Sequence, residues 1–349
     1  MKFNKNIQVG NHLISNDSNK VFVIAEAGVN HGGDMDLAFK LIDIAVESKA
    51  DAVKFQTFKA KELILNSVEK APYQLKTTSN KQTQYEMLKS LEVTKEQNLI
   101  LKKYCDTKDI LFLTTPFEEK SLDELDCLEL EAYKIASTDT TNIPFLKKIA
   151  EKGKPMFLST GMCYLDEIEL VLKELFKINK DIILMQCTAN YPIIDTDANL
   201  KVMQTFKKRF NMILGYSDHT VGVGAAPYAI PLGAKVVEKH FTINKESKGP
   251  DHKASLTPEE LIDFVKEVRR VESFMGIKQK LPTFSETQTR LSLQKCLVAS
   301  VPIIKGEIIK ENMFIAKRTG GKGISPLYYK SVIGKQALTN ISINEIIKI

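Results

Sequence analysis

From residue 21 to about residue 275, short β-branched runs alternate eight times with longer segments of helical period. The runs fall at 21–25, 52–56, 110–114, 132–135, 155–159, 182–187, 212–216 and 235–239. Leu37, Leu41, Ile44 and Ala45 share one face of the first intervening segment. Ile168, Val171, Leu172, Leu175 and Phe176 share one face of the fifth. Eight strand–helix units in strict order predict an α/β fold of the (β/α)8 TIM-barrel type. A doubly wound sheet is the competing layout. However, the glycines after the first run, at 28, 32 and 33, lack the G-x-G-x-x-G spacing of that fold.

The 349 residues exceed what one small core needs, so a large barrel or two domains is expected. Residues 1–20 read as a polar N-terminal extension and 21–275 as the barrel. Residues 276–289, with Pro282, read as a linker, and 290–349 as a small, mostly β domain. The stretch from Lys59 to Leu91 is too long for an ordinary βα loop and contains the polar segment 76–84. A loop of that length after a barrel strand is expected to work near the active site.

Hydrophobic and charged fractions of 43% and 26% are those of an ordinary soluble protein. The net charge of +6 is spread along the chain, which argues against nucleic acid and suits small anionic substrates. Five cysteines without a C-x-x-C pair predict reduced thiols and no disulfide framework. Residues 1–20 lack the apolar core of a signal peptide, and no apolar run approaches a membrane span. A soluble, cytoplasmic protein is expected.

Catalytic residues of such a barrel lie at the C-terminal ends of its strands. In chain order those ends offer Glu26, Lys54 with Gln56, Thr114 and Thr115, then Lys134 with Ser137 and Asp139. Ser159-Thr-Gly161, Thr188 with Tyr191, Ser217 with His219, and Glu238 with His240 complete the set. The two inward ammonium groups of Lys54 and Lys134 need either an anion or a nearby carboxylate such as Glu26 or Asp139 to pair them. Ser159 to Gly161 precede a helix starting near Leu165, where hydroxyls and amides can hold phosphate oxygens or simply cap the helix. A phosphate and a carboxylate on Lys54, Lys134, Ser137, Ser159 and Ser217 would describe phosphoenolpyruvate. Glu26, His219 and His240 opposite them suit a borderline divalent ion such as Mn2+.

Seven segments carry a family resemblance. They are Ile24-Ala-Glu-Ala-Gly-Val-Asn-His31, Val53-Lys-Phe-Gln-Thr57, Thr115-Pro-Phe117 and Tyr133-Lys-Ile-Ala-Ser137. Ser159-Thr-Gly-Met162, Tyr216-Ser-Asp-His219 and Glu238-Lys-His-Phe-Thr242 follow. Together they resemble the sialic acid synthase family, over nearly the whole chain. Residues 303–349 look like the antifreeze-like (SAF) domain of those enzymes. The resemblance implies condensation of phosphoenolpyruvate with an N-acetylated amino-hexose in its aldehyde form, with phosphate lost by C–O cleavage. It implies that His219 and His240 hold the metal, Mn2+ with Mg2+ or Co2+ as alternatives. Lys54, Thr115, Lys134, Ser137, Ser159 and Ser217 would hold phosphoenolpyruvate, and Gln56, Tyr191 and Asp251 the sugar. Glu26 and Asp139 are expected as the catalytic carboxylates. The family also implies a homodimer whose small domain caps the partner's barrel, with Arg318 reaching the N-acyl group.

Three positions depart from the family pattern. Ser137-Thr-Asp139 stands where many bacterial members have Ser-Gly-Glu, and Lys317-Arg-Thr-Gly320 where Lys-Arg-Pro-Gly is usual. An asparagine that binds substrate in some members falls on Ala189, beside Asn190. Gly249-Pro-Asp-His-Lys-Ala-Ser255 resembles neuraminate and legionaminate synthases more than the pseudaminate type. Residues 61–81 tilt toward legionaminate synthases and a 2,4-diacetamido-trideoxyhexose. N-acetylmannosamine and its 6-phosphate stay open as acceptors, as do a pseudaminate synthase, a metal-dependent lyase or hydrolase, and a non-catalytic sugar-binding protein.

Overall fold

The computed structural model describes residues 1–78 and 82–349, so positions 79–81 of the polar segment 76–84 lie outside the described residues. The chain divides into two compact units, Met1–Gly276 and Ile277–Ile349.

The first unit opens with an antiparallel hairpin, β1 (Asn6–Val9) and β2 (His12–Ser15). Eight strands follow: β3 (Phe22–Gly28), β4 (Ala52–Thr57), β5 (Leu111–Pro116) and β6 (Tyr133–Ile135). The others are β7 (Met156–Ser159), β8 (Ile182–Cys187), β9 (Ile213–Asp218) and β10 (Ala234–His240). They pair in parallel in the order β5-β4-β3-β10-β9-β8-β7-β6, which follows the sequence once around a ring. The two margins, β5 and β6, lie side by side and complete it. This is the (β/α)8 barrel that the alternation predicts. Its helices begin at capping side chains: Asp34 before Met35–Glu47, Thr94 before Lys95–Thr107 and Thr257 before Pro258–Met275.

Side chains alternate across each strand, so one parity faces the barrel axis. Phe22, Ile24, Ala52, Leu113, Ala132, Phe157, Ile183, Met185, Ile213 and Val236 form a single inner cluster. Ile7, Val9 and Ile14 of the hairpin pack into that same cluster. Residues 1–20 are therefore more than a polar extension, because their few apolar side chains help to fill the barrel's interior. The opposite parity, such as Val23, Ala25, Val53, Phe55 and Phe112, packs in the main core with the helices.

The insertion after β4 folds into three short helices, Ala60–Leu63, Pro72–Thr77 and Gln84–Lys89. Phe58, Met87 and Leu91 join Val29 in a separate apolar cluster beneath it. In the second unit, β11 (Lys295–Ala299) pairs antiparallel with β12 (Phe314–Arg318). Isolated bridges tie 298 to 346, 303 to 341 and 308 to 336 around a small core that includes Leu297, Ile303, Ile309, Val332 and Ile341. A helix Glu286–Leu293 precedes them, within the span read as linker and domain start.

Candidate active site

Continuing the inward parity past the apolar cluster converts each strand end into chemistry. Phe22 and Ile24 lead to Glu26, Ala52 to Lys54 and Gln56, Leu113 to Thr115, and Ala132 to Lys134. Phe157 leads to Ser159, Met185 to Cys187, Ile213 to Ser217 and His219, and Val236 to Glu238 and His240. All of these polar side chains line one cavity of about 840 Å³, together with Ser137, Asp139, Tyr191 and Asp251. Arg318 stands exposed at the end of β12 in the second unit.

The two lysines are almost wholly buried and meet two carboxylates. Lys54 Nζ lies 3.2 Å from Glu26 and 3.5 Å from Glu238, and donates to Thr115 Oγ1 at 3.1 Å. Lys134 Nζ donates to Ser159 Oγ at 2.8 Å and lies 3.5 Å from Glu238. Ser217 Oγ donates to Glu238 at 3.0 Å, and Gln56 donates to Glu26 at 3.1 Å. Glu238 thus sits between the lysines, a place the sequence reading left without a role. Its inward parity with His240 was the available signal. Asp139, considered as a lysine partner, instead accepts from Thr138 and Asn142.

Burial acts on each of these groups, and the neighbours decide the outcome. Burial pushes Glu26 up to about 7, and repulsion from Glu238 adds to this against the pull of Lys54. Burial alone would raise Glu238, but Lys134 and Lys54 bring it below the usual carboxylate range. Burial would lower Lys54, yet Glu238 and Glu26 hold it above its ordinary value. Lys134 is lowered, by burial first and by the charge of Lys54 against the pull of Glu238. Near neutral pH Glu26 can therefore take up a proton, which removes one of the two carboxylate charges that face the lysines.

Across the cavity the His219 and His240 rings lie 5.5 Å apart, and Tyr191 packs on both, at 4.1 and 5.6 Å between centroids. His219 Nδ1 is 2.7 Å from the Thr188 carbonyl oxygen, an acceptor only, so this nitrogen carries a proton and in the neutral ring the lone pair is on Nε2. His240 is held well below its ordinary pKa by burial and by the charges of His219, Lys54 and Lys134, so it is neutral. Its Nδ1 is buried without a hydrogen-bond partner, 3.9 Å from Asp251. Burial pushes Asp251 up to about 6. Burial alone would lower His219, but Cys187 and the Thr188 carbonyl raise it above the ordinary imidazole range, so a cation there would take the place of a proton. The two imidazoles face one cavity and fit a divalent ion, and the carbonyl behind His219 orients a ligand as metal sites require. Among the described residues no group of three or more His, Cys, Asp or Glu is arranged for a metal. Water or a substrate oxygen would have to complete the coordination.

The Ser159–Gly161 turn divides its labour. Ser159 serves Lys134, whereas Thr160 Oγ1 donates to the Met185 carbonyl at 2.8 Å and so stays in the scaffold. The Gly161 amide donates to Ser137 Oγ at 2.9 Å, and a Cβ there would meet that oxygen at 2.9 Å and Ala189 at 3.0 Å. Cys187 also escaped the sequence reading. Its thiol lies 3.7 Å from Ser137 Oγ and 3.8 Å from His219 Nδ1.

The NeuB family model matches residues 41–280. An N,N'-diacetyllegionaminic acid synthase of Campylobacter jejuni is 45% identical over 94% of this chain and 99% of its own length. A second protein of that name, from Legionella pneumophila, is 40% identical over 92% of this chain and 91% of its own. The crystal structure of an N-acetylneuraminic acid (sialic acid) synthetase from Leptospira borgpetersenii, in complex with citrate, superposes with a TM-score of 0.73. It shares 35% identity and covers 82% of this chain and 95% of that one.

Proposed function

This chain belongs to the NeuB family, and from that premise we propose that it joins phosphoenolpyruvate to the open-chain aldehyde of an N-acetylated amino-hexose. Water enters, and the products are a nonulosonic acid and phosphate. The observation that carries the reading is the cavity in which two buried lysines with their hydroxyl partners face two buried histidines.

Lys54 with Thr115, and Lys134 with Ser137, Ser159 and Ser217, bind the carboxylate and phosphate of phosphoenolpyruvate. A divalent ion held by His219 and His240, Mn2+ in our reading, would supply Lewis-acid polarisation of the aldehyde carbonyl. The enol carbon attacks that carbonyl, a C–C bond forms, and Glu26, poised near neutral pH, is placed to protonate the new oxygen. Water then adds to the oxocarbenium carbon, Asp139 or Glu238 holds its proton, and the C–O bond to phosphate breaks. Positioning and fixed charge supply most of the rate.

The acceptor we favour is 2,4-diacetamido-2,4,6-trideoxymannose, giving N,N'-diacetyllegionaminate. The names of the Campylobacter and Legionella relatives support it. So does the wall built by the insertion, where Phe58, Leu63, Ile64, Met87, Leu88 and Leu91 offer apolar surface to a deoxy carbon and acetyl methyls. Among the described lining residues the only lysines are Lys54 and Lys134, and none is arginine, so a sugar 6-phosphate finds no second cationic partner in this unit. Gln56, Tyr191 and Asp251 face the sugar. We further propose a cytoplasmic homodimer in which Arg318 of one subunit reaches the acyl group in the partner's barrel. Among the described residues no helix is long and apolar enough to cross a membrane.

Phosphate release from phosphoenolpyruvate tests the reaction, with Mn2+ or with chelator. N-acetylmannosamine, its 6-phosphate and the diacetamido sugar are offered separately. Metal-dependent release with the diacetamido sugar is expected; silence with all three, from folded protein, would reject the assignment. Mixing Arg318→Ala with His240→Ala dimers should restore activity after subunit exchange, and no recovery despite verified exchange would reject the cross-subunit role.

A further inference from the structure

Each metal-facing histidine follows a charged residue that points the other way. Ser217-Asp218-His219 and Glu238-Lys239-His240 lie side by side, and the strand register pairs Asp218 with Lys239. Both charged side chains are 0% exposed, with Lys239 Nζ 3.0 Å from Asp218 Oδ2. They lie on the outward parity, away from the cavity.

A buried ion pair is poor glue, because desolvation offsets most of its attraction; apolar residues of equal volume often serve stability as well. What distinguishes this pair is where its remaining hydrogen bonds go. Asp218 Oδ1 accepts from the Thr220 amide at 2.9 Å and its hydroxyl at 2.7 Å. Oδ2 accepts from the Ala225 and Ala226 amides at 3.0 and 3.1 Å. Lys239 donates to the Thr220 carbonyl at 2.6 Å, and the Ala225 amide also reaches Thr220 Oγ1 at 3.0 Å. Every bond ends on the turn that leaves His219. The clasp is also closely fitted. Gly224 has φ +65°, and a Cβ there would lie 1.9 Å from Thr220 Oγ1 and 2.8 Å from both Asp218 Oδ2 and Lys239 Nζ.

We propose that Asp218, Lys239 and Thr220 form a positioning clasp that locks the ends of β9 and β10 in register, so that His219 and His240 meet one divalent cation. The clasp rests on the metal reading above. The three are positioning residues, since none lines the cavity.

Lys239→Met tests this with little change of volume, because Asp218 keeps its four other donors. Thr220→Val is the second variant, and it decides the matter if the first does not fold. The measurement is Mn2+ affinity of the full-length, substrate-free protein by electron paramagnetic resonance, with circular dichroism confirming folding. Loss of such a supporting contact is expected to weaken Mn2+ binding about 10–100-fold. Phosphoenolpyruvate affinity without metal should hardly move. Wild-type Mn2+ affinity in the folded variants, whatever their melting temperature, would overturn the clasp. Wild-type protein is measured beside His219→Ala. If wild type binds Mn2+ no better than that variant, the metal reading itself fails, and the clasp falls with it.

Discussion

The two ends of one barrel make opposite use of the same inward-facing positions. At the N-terminal end they carry Phe22, Phe157, Ile183, Ile213 and Val236, joined by Ile7, Val9 and Ile14 from the hairpin. Phe22 and Phe157 stack there with ring centroids 5.9 Å apart. Two to four residues further along the strands, the same row becomes Glu26, Lys54, Lys134, Ser159, Ser217 and Glu238. The apolar end leaves no polar group to satisfy and contributes stability by burial. The charged end buries ion pairs that contribute little net stability, and leaves Glu26 Oε2, Glu238 Oε2 and His240 Nδ1 without aligned hydrogen bonds. One end holds the fold, whereas the other stays polar at the expense of stability.

That division can be broken by substitution at either end. The largest expected effect is His240→Ala, which should lower kcat/KM by about a thousandfold or more, corresponding to several kcal/mol of lost transition-state stabilisation. Its melting temperature should stay near that of the wild type; a collapse of the fold would show that the charged end also bears stability. Phe157→Ala should do the reverse. A loss of about 3–5 kcal/mol in urea unfolding is expected, with kcat and KM of the folded enzyme unchanged.

Glu26→Gln sharpens the contrast through pH. The native carboxyl titrates near 7 rather than at its ordinary value, so the folded state binds more protons across that interval. Stability from this group is present below its unfolded pKa and is lost as pH rises through about 7. The Gln variant should lack that slope and be more stable at pH 8, by on the order of 1–3 kcal/mol, while losing activity. Urea titrations of metal-free protein at pH 5 and pH 8 measure both signs. The smallest predicted change is in ligand affinity alone. Lys134→Met should raise KM for phosphoenolpyruvate by about 10–100-fold, the worth of one hydrogen bond to a charged group. It should leave urea stability nearly intact, because Glu238 keeps Lys54 and Ser217 as partners.

Much of this was legible before any coordinates. The eight runs, their order and the inward row from Glu26 to His240 follow from local alternation and helical period. Thirteen of the residues expected at the site, from Glu26 to Asp251, line the one cavity. Illegible were the hairpin's place in the barrel interior, the role of Glu238, the nearness of Cys187 to His219, and the clasp behind the histidines. Each of these is a contact between distant parts of the chain.

The sequence by itself determined which side chains face inward, because strand periodicity acts over two residues and needs no partner. Only the tertiary structure decided who meets whom. The relative register of β10 with β9 and β3, and the ring that brings β4 and β6 near it, put Glu238 rather than Asp139 between the lysines. The same registers bury Glu26 deeply enough to move its proton toward neutral pH. Charge and burial at a site depend on neighbours far apart in the chain, and no local pattern encodes that distance.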